Sequence, residues 1–239
     1  LHPRVRRQRQ MCIRDRSSIM RIAAMACRFR KDGSRGLFLS EHRRCYDEII
    51  DYCNKLVYQG KLKPCRGSIR HDDKNTLKSE FPAMGHFPIE VESSEKRGSS
   101  RFNKEEAQQI VQWIATHADK IQSTYPKEGG IENLIGVITP FKAQAAVIKK
   151  ALPKHLKKIR VGTIHTFQGA ECRIIIISTV YGGEDGCFFI ENNKSLMNVA
   201  VSRAKDFFFV FGNRKCLLHT ESSTTGLLRQ MTEESIAGK

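Results

Sequence analysis

Two stretches, "RIIIISTV" at 173 to 180 and "DFFFVFGN" at 206 to 213, set the terms on which this chain folds. Successive side chains of a strand point to opposite sides, so a strand with consecutive apolar residues needs cover above and below. Between the two lies "SLMNVAVSRAK" at 195 to 205, which reads as a helix, the connection that parallel pairing requires. The alternation extends backwards along the chain. "HFPIEVE" at 86 to 92, "NLIGVIT" at 133 to 139 and "KIRVGTI" at 158 to 164 read as strands, separated by the helical patterns "NKEEAQQIVQWIATHADKI" at 103 to 121 and "FKAQAAVIKKAL" at 141 to 152. The expectation is an α/β fold, a parallel sheet with helices on both faces. Ligands of such sheets sit outside the carboxyl ends of the strands, so polar residues at a strand lip are where the chemistry is expected.

Local signals place the element ends. Asn103, followed by Glu106 three residues on, has the pattern of a capping box, and Ala107, Ile110, Ile114 and Ala118 fall on one face of the helix that follows. Earlier, "LFLS" at 37 to 40 reads as a short strand, and Ile49, Cys53 and Leu56 recur at helical spacing until Gly60 stops the pattern. Residues 63–85 are polar, carry Pro64, Gly67, Pro82 and Gly85, and read as a surface connection. Residues 1–20 have neither an apolar period nor the apolar centre of a signal peptide, and fall outside the expected fold. They resemble translated sequencing adaptor, most clearly in "QRQMCIRDR", which implies a truncated chain; an arginine-rich nucleic-acid arm is the functional alternative. The expected organisation is a basic segment, disordered or artefactual, over 1–20, one domain over 21–219 in which a helix ends near Phe29, and a tail over 220–239.

Charge narrows the partners. The chain carries a formal +16, of which residues 1–35 hold +9 and residues 141–173 hold +7, so the remainder balances to zero. The useful basic patch is therefore local, and suits either a phosphate backbone or a solvated helix face. No apolar run, Ile174 to Ile177 among them, approaches the roughly 20 residues of a membrane helix. The eight cysteines include no Cys-x-x-Cys pair, which argues against structural zinc and for reduced thiols in the cytoplasm.

Four blocks carry the functional reading: "LSEHRRC" at 39 to 45, "VITPFKAQ" at 137 to 144, "VGTIHTFQGAECRIII" at 161 to 176 and "LMNVAVSRAKDFFFVFGN" at 196 to 213. In this order and spacing they resemble the motifs of the second RecA-like motor domain of superfamily 1 helicases, in the branch of the RNA-decay and replication helicase-nuclease enzymes. The resemblance covers about residues 37 to 218. It implies a RecA-like, P-loop NTPase-type sheet, ATP as cofactor with Mg2+ held mainly by a first motor domain, single-stranded nucleic acid as partner, and movement 5′ to 3′.

The resemblance also implies roles. Arg203 matches the arginine finger, and Arg44, or its neighbour Arg43, matches a second arginine at the γ-phosphate. A guanidinium suits transferring phosphoryl oxygens because it is always charged and its planar fork matches them. Gln168 and Gly169 match the turn coupling nucleotide to nucleic acid, where Gly169 supplies close backbone approach or a positive φ. Glu171 matches the carboxylate that accepts from the nucleotide sugar hydroxyl; capping the turn or pairing with Arg173 are its structural alternatives. Thr139, Pro140, Thr163, His165 and Lys142 match contacts to the strand backbone, with Lys149 and Lys150 adding charge. His165 serves equally as a hydrogen-bonded turn residue. Asn198 either orients Arg203 or caps locally. The phenylalanines of "DFFFVF" suit core burial better than base stacking.

No Gly-x-x-x-x-Gly-Lys-Ser/Thr occurs, Gly60-Lys61 being followed by Leu62, and no apolar strand ends in an Asp-Glu pair. The phosphate cradle and metal carboxylate are thus expected in a preceding first motor domain, and this chain alone is expected not to hydrolyse ATP. The rival of another class is a RecA-like module that grips nucleic acid or protein without hydrolysis. An independent small-molecule enzyme has little behind it, because "GGEDG" at 182 to 186 reads as a loop between strand and helix.

Overall fold

The structure, a computed structural model, describes residues 23, 25–31, 34–35, 38–69, 76–167 and 169–234. The basic opening segment, the start of the helix expected from Met20, and Gln168 lie outside them. The chain divides after Ser40, and the unit Glu41–Lys239 carries the sheet.

Six strands form that sheet: β1 (Met84–Pro88), β2 (Ile135–Ile138), β3 (Arg160–Gly162), β4 (Cys172–Ser178), β5 (Ala204–Gly212) and β6 (Glu233–Glu234). Their order is β6-β1-β5-β4-β2-β3, and every pairing is parallel. The two apolar stretches become the central neighbours β4 and β5, in register from Ile174 opposite Phe207 to Ser178 opposite Phe211. Ile174, Ile175, Ile176 and Ile177 are each 0% exposed. Burial of that kind stabilises by about 1.5–3 kcal/mol per side chain.

The pleat sorts these residues between two cores. Ile174, Ile176, Phe207, Phe209 and Phe211 face a layer made by α2 (Lys104–Thr124) and α3 (Lys142–Ala151). Ile175, Ile177, Phe208 and Val210 face α1 (Asp47–Cys53), α5 (Lys194–Val201) and α6 (Thr224–Met231), with the single turn α4 (Phe188–Glu191) between them in sequence. The "DFFFVF" rings are core, Phe209 packing edge-on to Trp113 at 5.2 Å and to Phe87 at 5.3 Å. This is an α/β, RecA-like arrangement, a parallel sheet covered on both faces.

Several local features differ from the sequence reading. Residues 38–40 are not strand; the extended piece is Glu41–His42, paired parallel with Lys63–Pro64. The stretch read as a surface connection ends in buried structure, with Leu77 and Ala83 packed inside and β1 starting at Met84. After residue 219, where a tail was expected, α6 buries Leu227 and Leu228. Asn103 does cap α2, accepting from Glu106 N at 3.0 Å, but Glu106 does not return the bond; Asn103 N donates to Gln144 instead. All cysteines among the described residues are free, and none of the described helices is long and apolar enough to cross a membrane.

Candidate functional site

The motif residues fall on two opposite edges of the sheet. Glu171 and Arg203 lie at the amino edge, just before β4 and β5 begin, and Arg44, from the segment ahead of α1, joins them there through Glu171 and Ser202 O. Thr139, Pro140, Thr163 and His165 lie at the carboxyl edge, just after β2 and β3 end. Glu171 and Arg203 lie away from the carboxyl edge because the chain enters β4 and β5 directly from the segments that carry them.

At the amino edge, Arg44 Nε pairs with Glu171 Oε1 at 2.7 Å, and Arg44 Nη1 donates to Ser202 O at 3.2 Å. Lys205 Nζ stands 3.5 Å from the other Glu171 oxygen. Arg203 is half-buried at the end of α5; its Nε donates to Val199 O at 3.3 Å, and its carbonyl accepts from Cys172 N at 3.1 Å. Arg43, by contrast, is an exposed residue paired with Glu41, so of the two candidates Arg44 is the one gathered with Glu171. Glu171 does not pair with Arg173, whose partners are Glu128 and Asp206.

Sequence reasoning missed the brace beneath this group. Arg66 Nη1 donates to Arg44 O at 2.6 Å and to Lys205 O at 2.5 Å, while its other nitrogen pairs with the buried Asp206. Asp206 also accepts from Tyr125 Oη at 2.8 Å, and the Arg66 guanidinium lies 4.1 Å from the Tyr46 ring centre. Two arginines and a phenol around one buried carboxylate fix the backbone from which Arg44 and Arg203 project. No local pattern in the sequence marks Arg66, which meets Asp206 across 140 residues. Burial and the neighbouring Arg44 charge hold the His42 pKa below its ordinary value, which suits its Nε2 accepting from Cys45 N at 3.2 Å. The Cys45 thiol is pushed up to about 12 by burial, against the opposing pull of Arg44, Arg66 and Arg203. A cavity of about 380 Å³ opens beside Glu171, lined by Gly169, Ala170, Cys172 and Arg160 among others.

At the carboxyl edge, Thr139 is fully buried, its amide donating to Gly162 O at 3.0 Å and its hydroxyl accepting from Phe141 N at 3.4 Å. Its side chain thus shapes the turn, and the groups that reach solvent are half-buried Pro140 and Thr163 and exposed Lys142 and His165. Behind them is a buried polar network. Glu106 takes Val180 N at 3.0 Å to both carboxylate oxygens and a hydroxyl bond from Ser178, which in turn accepts from Gln144 Nε2 at 3.0 Å. Burial pushes the Glu106 carboxyl up to about 8 even though these donors favour its ionised form. The network holds Val180 at φ 76°, a costly backbone for a β-branched residue.

One segment joins the edges. From Thr163 the chain makes a short turn, Ile164–Phe167, crosses over β2 and arrives at Glu171. Phe167 lies on Gly136, where a Cβ would approach the ring to 2.5 Å, so the absent side chain makes the crossing possible. Gly169 adopts φ 80°, one of its two expected roles. Asn198 neither caps nor bonds Arg203; its Nδ2 donates to Tyr58 Oη at 3.3 Å.

The sequence model of the family described as AAA domain matches residues 20–215. The chain belongs to this AAA domain family. It is 31% identical over 193 residues to the RNA helicase Mov10l1 of Homo sapiens, covering 75% of this chain and 15% of that protein. It is 29% identical over 185 residues to the ATP-dependent helicase upf1 of Schizosaccharomyces pombe, covering 73% of this chain and 19% of the relative. With the 5′-3′ DNA helicase ZGRF1 of Mus musculus the identity is 28% over 191 residues, 77% of this chain and 10% of the relative. The chain therefore spans at most about a fifth of these relatives. With its motif order, these likenesses make it a superfamily 1 helicase motor domain.

Proposed function

We propose that this AAA domain is the C-terminal motor half of an ATP-dependent helicase or translocase on single-stranded nucleic acid, working against a first RecA-like domain of the same protein. The observation that carries the reading is the meeting of Arg44, Glu171 and Arg203 on one edge, braced by Arg66 and Asp206. The donor set fits a nucleotide: half-exposed guanidiniums suit phosphate oxygens, and a carboxylate beside an open cavity suits a sugar hydroxyl. ATP, with Mg2+ held mainly by the first domain, supplies the phosphoryl group that is transferred to water.

Arg203 is anchored through Nε, which leaves its terminal nitrogens to face developing negative charge on the phosphoryl oxygens. Arg44 takes the same role once Glu171 turns to the sugar. Gln168, Gly169 and the crossover carry the change to Thr163, His165, Pro140 and Lys142, which hold the strand backbone without reading its sequence. Thr139 supports them from inside. Movement runs 5′ to 3′, and the free thiols suit a cytoplasmic setting.

In the complete protein, Arg203→Ala is expected to lower strand-stimulated ATP hydrolysis by about 10³–10⁵-fold, while labelled DNA and RNA strands bind nearly as before and release steeply with salt. Unchanged turnover refutes the finger. Strand binding with no hydrolysis by the unaltered protein supports the non-hydrolysing module instead.

A further inference from the structure

Among the described residues from Glu41 on, most phenylalanine, tyrosine and tryptophan rings are at least half-buried, but two adjacent ones are not. Phe188 is 71% exposed and Phe189 41%, at the start of α4. They are held in place rather than loosely displayed. Phe189 lies 5.8 Å from Phe141, which meets Tyr181 edge-on at 5.6 Å, and Tyr181 Oη accepts from Phe189 N at 3.3 Å. The Phe188 ring rests on Gly186 at φ 64°, where a Cβ would come within 3.0 Å of it. Contiguous apolar surface mounted on a rigid edge marks a binding place.

The position says what it binds. Along the carboxyl edge the strand order β3-β2-β4 sets Thr163, then Pro140 and Phe141, then Tyr181 and the phenylalanines, in a row with about 4.8 Å between strands. The rings therefore continue the line of the backbone contacts. Charge is present at the row, since exposed Lys142 follows Phe141 directly. Two of the three nearby carboxylates are taken up internally, Asp185 by Arg101 at 2.7 Å and Glu191 by the Thr225 amide at 2.8 Å, while Glu184 is exposed.

We infer that Phe188 and Phe189, backed by Phe141, form a stacking platform for the bases of the single strand. The inference rests on the proposed strand binding and adds to it a contact to bases, tolerant of sequence because every base has an aromatic face.

The test uses the complete protein, end-labelled oligothymidine, and an abasic deoxyribose-phosphate strand of the same length, compared by fluorescence anisotropy. The unaltered protein is expected to prefer the base-bearing strand by about 5- to 150-fold, the range of one stacked base. Phe188→Ala, and separately Phe189→Ala, should remove most of that preference and leave abasic affinity unchanged, while Phe188→Trp keeps it. Equal, salt-sensitive binding of both strands by the unaltered protein overturns the platform and leaves the backbone reading standing. Binding of neither strand overturns both. If Phe188→Ala leaves the preference intact but weakens packing of the first motor domain, the rings form a protein interface and the inference falls.

Discussion

Replacing the buried carboxyl of the carboxyl-edge network, Glu106→Gln, is expected to flatten the pH dependence of stability. In the folded chain this carboxyl keeps its proton up to about pH 8, against an ordinary 4.5. A raised pKa on an acid means that its contribution is fully present below about 4.5 and is lost as pH climbs through about 8. Between those limits the folded state binds one more proton than the unfolded state, so stability falls by about 1.4 kcal/mol per pH unit, at most about 5 kcal/mol in total. Glutamine has the same shape and does not titrate. It also accepts through one oxygen where the carboxylate presents two to Val180 N, which adds a roughly constant loss of about 1–3 kcal/mol. The quantity to measure is therefore the slope of the difference. Urea unfolding midpoints of both chains from about pH 5 to pH 8 give it, with all other titrating groups cancelling. Two parallel curves refute the reasoning, because they mean that Glu106 is ionised across the range or titrates alike in both states.

Two further perturbations probe the amino edge and the crossover. Asp206→Asn leaves Arg66 and Arg173 facing a neutral amide at a position only 1% exposed. It should cost about 3–5 kcal/mol in urea unfolding; a loss below about 1 kcal/mol shows that the brace contributes little. Gly136→Ala sets a methyl group 2.5 Å from the Phe167 ring. It should destabilise by about 1–3 kcal/mol and, in the complete protein, reduce the strand stimulation of ATP hydrolysis more than the basal rate; an unchanged ratio of the two rates argues that the crossover does not couple the edges.

The layers were legible because burial writes directly into residue type. Strands covered on both faces show as runs such as Ile174–Ile177, and their helices show as spaced apolar stripes. Arg44, Glu171 and Arg203 were legible only as motifs; their meeting on one edge depends on the sheet order, which no local pattern states. What escaped the sequence is long-range and polar. Arg66 reads as one more basic residue in a polar stretch, and nothing near it announces Asp206. Glu106 reads as half of a capping box because its distance from Asn103 is right, yet the packed end of β4 offers it Ser178 and Val180, and tertiary contacts win over the local bond. Leu227 and Leu228 sit among Thr and Ser residues that suggest a tail, and only the α1 and α5 layer gives them a reason to be buried.

Thr163–Glu171 is the segment through which the two edges of the sheet can be mechanically joined, and its length leaves it little slack. From the level of Gly162, opposite Ile138 and thus Ile177, down to Cys172 is five residue rises along β4, about 17 Å, and two strands sideways add about 10 Å. The diagonal is about 20 Å. Nine residues cover it, but Ile164–Phe167 are wound at about 2 Å per residue, so the whole segment reaches only about 25 Å. Only a displacement at Thr163 beyond the remaining slack of about 5 Å exceeds what straightening the segment absorbs. It must unwind the turn, lift Phe167 from Gly136, or pull Glu171 from Arg44. The first costs hydrogen bonds and the second exposes a buried ring. The third breaks a half-exposed ion pair worth about 0–1 kcal/mol, so the pair between Glu171 and Arg44 is the link between the two edges that yields most easily.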